Sequence, residues 1–227
     1  MAVDLRGSSI VFDLDGTLVD TAGDLAAALN HVLEVGGRPP VEPHTVRMLV
    51  GHGARVLLEH GFAETGEPLP PEAVDAHVTR FLAFYADNIA NESRLFPGTR
   101  EALERLVAAG ARLGVCTNKP ERLTLALLDA LDLRRYFPAV LGADSLSVKK
   151  PDPRHYLETV RRLGGDAHRS IFVGDSPVDV ATARAASVPV IAVTFGYTPV
   201  PPEELGADAL IAHFDELDAA LARLLGA

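Results

Sequence analysis

A single cysteine, Cys116, in 227 residues leaves no intrachain disulfide to form, and a reducing compartment suits the chain. No window approaches the roughly 18 uninterrupted apolar residues of a membrane-spanning helix. Positive charge is scarce: 21 Lys and Arg stand against 31 Asp and Glu, a formal net charge of −10. That balance argues against a nucleic-acid backbone or an anionic membrane as partner. A small anionic ligand stays open, because charge at a site need not follow the total. The opening "MAVDLRGSS" has an early acid and no long apolar stretch behind it, so no secretory leader is expected and the cytoplasm is the expected location. The eight histidines show no HxH or HExxH spacing, which gives no sign of an imidazole metal site. Internal repeats and low-complexity tracts are also lacking.

What the chain has is apolar material in short runs. Hydrophobic residues make up 48% and charged residues 23%, ordinary for a globular protein. "SIVFD", "RLGVCTN", "SIFVGD" and "VPVIAV" are continuously apolar, as strands covered on both faces are, with "AVLGAD" and "DALIA" as weaker examples. Between them, "TREALERLVAAG", "PERLTLALLDALD" and "PDPRHYLETVRRLGG" carry helical spacing with Pro or Gly near their ends. Strand alternating with helix predicts an α/β fold, a Rossmann-like parallel sheet. From Asp20 to Arg94 the rhythm changes to helical stretches alone, "DLAAALNHVLEVGG", "GARVLLEHGFAE" and "PPEAVDAHVTRFLAFYADNIA". The expected organisation is an α/β core over residues 1–19 and 95–227, with an α-helical cap over 20–94 inserted after the first strand. "RLFPG" is the expected return hinge and "GYTPVPPEELG" an expected surface loop.

Candidate chemistry gathers just behind the strands, where open α/β sheets bind ligands. The first strand delivers Asp13 and Asp15, the second Thr117 and Asn118, and the third Asp175 and Asp179; "SVKKPDP" adds Lys149 and Lys150. Like charges this close repel unless a cation lies between them. Mg²⁺, a hard cation suited to carboxylates and phosphate oxygens, answers that need through Asp13 and Asp175. A carboxylate can also attack phosphorus, which makes Asp13 a candidate nucleophile. Asp15 is then the candidate acid/base, Thr117 a hydrogen-bond donor to phosphate and Lys150 its counter-charge. Gly16 permits the turn behind the two acids and Thr17 can tie it down.

"DLDGTLVD", "VCTN", "KKPDP" and "VGDSPVD", in that order, resemble the four motifs of the haloacid dehalogenase superfamily of phosphohydrolases, over nearly the whole chain. The resemblance implies that Asp13 is the nucleophile, Asp15 the acid/base and Asp175 a metal ligand. It also implies that the Asp15 carbonyl binds Mg²⁺, that Thr117 and Lys150 hold phosphate, and that Asp179 is a supporting acid. Superfamily dehalogenases lack the second motif aspartate, which is present here. Phosphonate hydrolases of this type use a cap lysine, and residues 20–94 contain none. Mutases place an arginine soon after a cap glycine, where this chain has Ala54. "GHGARVLL", "ADSLSVKKPDPRHYL" and "TFGYTP" instead resemble the phosphoglycolate phosphatase group. This implies a Mg²⁺-dependent phosphatase of a small phosphorylated metabolite, 2-phosphoglycolate first, with a sugar phosphate, nucleotide or pyrophosphate as alternatives. Substrate contacts are then expected from Asn118, Gly16, Thr17, Gly51, His52, Gly53 and Arg55, in a monomer or homodimer.

Plainer roles stand beside these. Asp175 or Asn118 could cap a helix, Asp179 could serve structure alone, and Lys149 could be a solvated charge. His31, His44, His60 and His77 are expected to pack or face water, and Cys116 to fill the core. Two other functions compete with the phosphatase: a phosphate-accepting signalling receiver and a catalytically silent binding protein. The receiver leaves the inserted helices and the second acid without explanation.

Overall fold

The computed structural model describes residues 4–47, 49–51 and 53–226. In chain order the elements are β1 (Ser9–Phe12), β2 (Val19–Asp20), α1 (Ala22–Val35), α2 (Pro43–Arg47), α3 (Ala54–Thr65), α4 (Pro71–Asp87) and β3 (Arg94–Leu95). There follow α5 (Thr99–Ala108), β4 (Arg112–Cys116), α6 (Glu121–Ala130), β5 (Ala139–Leu141), α7 (Pro153–Arg162), β6 (Ser170–Gly174), α8 (Pro177–Ala186), β7 (Val190–Val193), β8 (Ala209–Ile211) and α9 (Leu217–Leu225).

Six strands form one parallel sheet in the order β5-β4-β1-β6-β7-β8. The unbroken apolar runs have the cause expected of them: Ile10, Val11 and Phe12 are wholly buried, with Ile10 and Phe12 in one apolar cluster and Val11 in another. Helices α7 and α8 pack on the Val11 side of the sheet, while α5 packs against β4, α6 against β5 and α9 against β8. The chain runs outward from β1 through β4 to β5, then crosses to β6 on the other side of β1. The order therefore reverses beside β1, and its carboxyl end opens into the crevice that such a reversal makes.

Helices α1 to α4 lie between the two halves of a short antiparallel ribbon that pairs Val19 with Leu95 and Asp20 with Arg94. Both crossings between sheet and helices thus share one hydrogen-bonded strap. Asp24 at the start of α1 holds the return: its carboxylate accepts from the Glu92 and Ser93 N–H groups and the Ser93 hydroxyl. The apolar faces of α1, α3 and α4 meet through Leu29, Leu58 and Phe81, all buried. No helix of the described residues is long and apolar enough to cross a membrane.

Candidate active site

Strand β1 ends at Phe12, and the next side chain is Asp13, 3% exposed. Its Oδ1 accepts the Leu14 N–H at 2.7 Å and the Lys150 ammonium at 2.9 Å. Its other oxygen takes no hydrogen bond from the described residues and belongs to a carboxyl that lines a crevice of about 500 Å³, mouth included. Strand β6 ends at Gly174 and sets Asp175 beside it. Asp175 accepts the Thr17 hydroxyl on one oxygen and the Tyr197 N–H on the other, each at 2.7 Å.

Gly16 and Gly196 make room for this carboxylate. At Gly16, with φ +83°, a Cβ would stand 2.3 Å from Asp175 Oδ2; at Gly196 it would stand 2.2 Å from Asp175 Cβ. Helix α8 begins with Ser176 as its cap, in a reciprocal pair with Asp179. Asp175 is thereby left free of capping. Asp179 turns its second oxygen to the Lys150 ammonium at 2.7 Å.

Asp13, Asp175 and Asp179 offer oxygens within 4.8 Å of one another, all buried, around the one ammonium of Lys150. Three carboxylates and one cation leave two negative charges in excess, and that excess shows in the proton affinities. Burial pushes Asp13 up to about 6; Lys150 opposes the shift, and Asp179 and Asp15 add to it. Asp175 is raised well above the carboxylate range by burial first, then by Asp179 and Asp13. Burial pulls Lys150 down, but Asp13 and Asp179 outweigh it and keep it charged. Asp179 gives one oxygen to Lys150 and the other to three donors, Asp175 has a single donor on each oxygen, and Asp13 has an oxygen to spare. An oxygen-loving divalent cation fits this donor set at Asp13 and Asp175.

A pH dependence follows. Asp13 sits at about 6 in the folded chain and 3.8 when exposed, so the folded state holds the extra proton between those values. Metal-free protein should therefore be stabilised by this group fully below 3.8 and lose that contribution as pH rises to about 6. A cation that replaces the proton reverses the trend. Thermal melts should show a Mg²⁺-induced rise in Tm that is small near pH 5 and large at about pH 7. An equal rise at both would break the link between metal and these carboxylates.

On the other side of Asp13 lies Asp15, whose carboxylate accepts the Thr21 hydroxyl at 2.8 Å and the Lys119 ammonium at 2.9 Å. Lys119 also donates to the Tyr85 hydroxyl of α4 at 2.7 Å and lies 4.3 Å from the centre of that ring. Burial pulls Lys119 down, and Asp15 and Tyr85 more than restore it. Strand β4 delivers Thr117, whose hydroxyl oxygen accepts the Lys119 N–H at 3.2 Å and whose proton has no acceptor among the described residues. The amide of Asn118 donates to the Gly51 and Lys150 carbonyls, both at 3.1 Å, and so ties the loop after β4 to the two segments facing it.

The structure thus gathers Asp13, Asp15, Thr117, Asn118, Lys150, Asp175 and Asp179 at one rim, and Gly51 and Gly53 line the crevice from above. Three expected substrate contacts are not gathered there. Arg55 points out of α3 to Asp75 and Glu59, half exposed, because the turns of α3 aim Ala54 and Leu57 at the crevice instead. Thr17 is fully buried and its hydroxyl already serves Asp175, and Gly16 is backbone packed under the same carboxylate. His52 lies outside the described residues. Of the lysine doublet, Lys150 enters and Lys149 stays exposed.

Lys119, Tyr85 and Tyr197 escaped the sequence reading. The loop that begins at Gly196 is not all surface: Tyr197 is 3% exposed, and its hydroxyl accepts the Thr21 and Ala22 N–H groups and donates to Asp20. Lys119 did leave a signal, since the chain has only three lysines and all three lie in the loops that follow β4 and β5.

Residues 10–193 match the family model described as haloacid dehalogenase-like hydrolase. The chain belongs to that family. A phosphoglycolate phosphatase of Caulobacter vibrioides is 50% identical to this hydrolase over 222 residues, 98% of this chain and 94% of the relative. A crystal structure of a predicted phosphoglycolate phosphatase from Haemophilus somnus aligns with a TM-score of 0.88 at 31% identity, over 95% of this chain and 98% of that one. CbbY from Rhodobacter sphaeroides, crystallised in complex with phosphate, aligns at 0.78 and 26% identity over 92% and 96%. The hydrolase therefore shares its fold over nearly all of its length with proteins of about its own size.

Proposed function

We propose that this hydrolase cleaves a small phosphate monoester, 2-phosphoglycolate, by way of a phosphate ester of Asp13. The observation that carries the reading is the Asp13 carboxyl, with one oxygen fixed by Leu14 and Lys150 and the other left clear in the crevice. A nucleophile held in this way has its direction set before substrate arrives.

In the first half-reaction the clear oxygen bonds to phosphorus as the bond from phosphorus to the ester oxygen breaks, and Asp15 gives that leaving oxygen a proton. In the second, Asp15 takes a proton from water, the water oxygen bonds to phosphorus, and Asp13 is released as the carboxylate with inorganic phosphate. Thr117, with a hydroxyl proton to offer, and the Lys150 ammonium stabilise the equatorial phosphate oxygens. Mg²⁺, held by Asp13, Asp175 and the Asp15 carbonyl, would neutralise charge on the transferring group when bound. Helices α1, α3 and α4 form a cap over the crevice: Leu25, Leu57, Phe81 and Leu82 line it and exclude bulk water. The working division is a core of residues 1–19 and 95–227 and a cap of 20–94. Small size of the substrate is supported by the crevice, its identity by the relatives.

Phosphate release with Mg²⁺ from 2-phosphoglycolate, a hexose phosphate, a nucleotide and pyrophosphate tests the substrate. The expected result is a kcat/KM for 2-phosphoglycolate at least about tenfold above the rest, abolished by chelation and restored by Mg²⁺. Faster turnover of another ester would keep the chemistry and replace the substrate. Binding without turnover of any ester would favour the silent binding protein.

A further inference from the structure

The crevice must do more than hold phosphate if it is to select one small ester. Lys119 is the one cation in its described lining, 6% exposed, between walls that are otherwise largely apolar. Its ammonium carries three protons. Its acceptors are both oxygens of Asp15, at 2.9 and 3.2 Å, and the Tyr85 hydroxyl at 2.7 Å, so it is held by one carboxylate that a substrate carboxylate could replace. The Tyr85 hydroxyl accepts from Lys119, and its own proton meets no acceptor among the described residues although the residue is 1% exposed. Burial raises the phenol to about 12, so that proton is present at neutral pH. Two donors, one charged and one neutral, thus lie side by side at the crevice; Asp15 holds the charged one, and the Tyr85 proton has no acceptor among the described residues.

We infer that Lys119 and Tyr85 form the subsite for the substrate's carboxylate, and so set specificity for esters of a two-carbon acid. The inference rests on the substrate reading above and assigns it to residues. Reach supports it: bond lengths put a glycolate carboxylate oxygen about 3 Å from the ester oxygen. Lys119 Nζ stands 2.9 Å from Asp15 Oδ1. An ester oxygen that takes its proton from Asp15 therefore brings the carboxylate to the ammonium. In taking Lys119, the carboxylate also releases Asp15 to turn toward the leaving oxygen. A longer ester carries its far group past the donors to Leu57, Phe81 and Leu82. Lys119 lines the crevice and the other cations near it do not: Lys150 is held between two carboxylates, Asp13 and Asp179, Arg55 turns out to Asp75, and Lys149 is exposed, with its ammonium near Gly53 at the edge.

The test compares 2-phosphoglycolate with 2-hydroxyethyl phosphate, the same chain ending in CH₂OH, in the wild type, Lys119→Met and Tyr85→Phe. Lys119→Met should lose about 100-fold in kcat/KM for 2-phosphoglycolate, chiefly through KM, and only a few-fold for 2-hydroxyethyl phosphate. Tyr85→Phe, which keeps the ring and the fold around it, should lose about tenfold on the carboxylate ester alone. Equal losses on both esters, carried by kcat, would mean that Lys119 only orients Asp15, and the inference would fall while the substrate reading stood. A wild type with no preference for the carboxylate ester would remove the substrate reading itself, and the inference with it. Should Lys119→Met fail to fold, the Tyr85→Phe comparison decides alone.

Discussion

Asp13→Asn should abolish phosphate release, by at least about ten-thousand-fold, and at the same time raise the Tm of the metal-free protein. The two effects share a cause. An amide oxygen can still accept from Leu14 N–H and Lys150, as Asp13 Oδ1 does, so the turn after β1 keeps its hydrogen bonds. The clear oxygen becomes an NH₂ group, which cannot attack phosphorus. The substitution also removes one negative charge from a cluster of three buried carboxylates around one ammonium, where burial and mutual repulsion already push Asp13 up to about 6. That crowding costs folded-state stability and is what a site for a cation requires, a trade seen wherever function needs like charges together. Kinetics with 2-phosphoglycolate and a thermal melt in chelator read both effects. Activity above about 1% of wild type would reject Asp13 as nucleophile. A lost fold would make it a structural residue.

Asp13, Asp175 and Lys150 were legible because the local sequence says where they go. An unbroken run such as "SIVF" needs cover on both faces, a strand so covered lies inside a parallel sheet, and whatever follows it stands at the carboxyl rim. The same logic located β4 and β6, and with them Thr117 and Asp175. Periodicity alone did not yield the strand order, nor the β2–β3 ribbon, whose two-residue strands are too short to show a pattern. Spacing is silent about facing, so it does not say which neighbours a side chain meets. Arg55 sits one position from the crevice-lining Ala54 and looks the other way. Thr17 lies in the signature turn but bonds across 158 residues to Asp175. Lys119 and Tyr85 are 34 residues apart on different elements, and neither position alone implies the contact between them. Tyr197 lies in a proline-rich stretch that reads as surface, yet its backbone and hydroxyl join Asp175 to Asp20, at the end of the ribbon strand, and to Thr21 beyond it.

Lys150→Met should cost about 3–5 kcal/mol of stability at neutral pH and nearly all activity. Lys150 is 3% exposed, and its ammonium lies 2.9 Å from Asp13, 2.7 Å from Asp179 and 5.4 Å from the centre of the Phe172 ring. Met fills a similar volume, so the loss is one of charge: three carboxylates remain with no cation among them. They can answer only by holding protons. Asp13 already titrates near 6 with Lys150 beside it, and without the ammonium it moves further above its exposed value of 3.8. The folded variant then carries protons that the unfolded chain releases, so its stability must fall as pH rises. The deficit relative to wild type should accordingly be small near pH 4 and grow as pH rises through about 6. Mg²⁺ should recover part of it at neutral pH, because a cation bound only by the folded state stabilises that state by mass action. A deficit of the same size across this range would instead locate the loss in packing against Phe172 and remove charge balance as the reason the lysine is buried there.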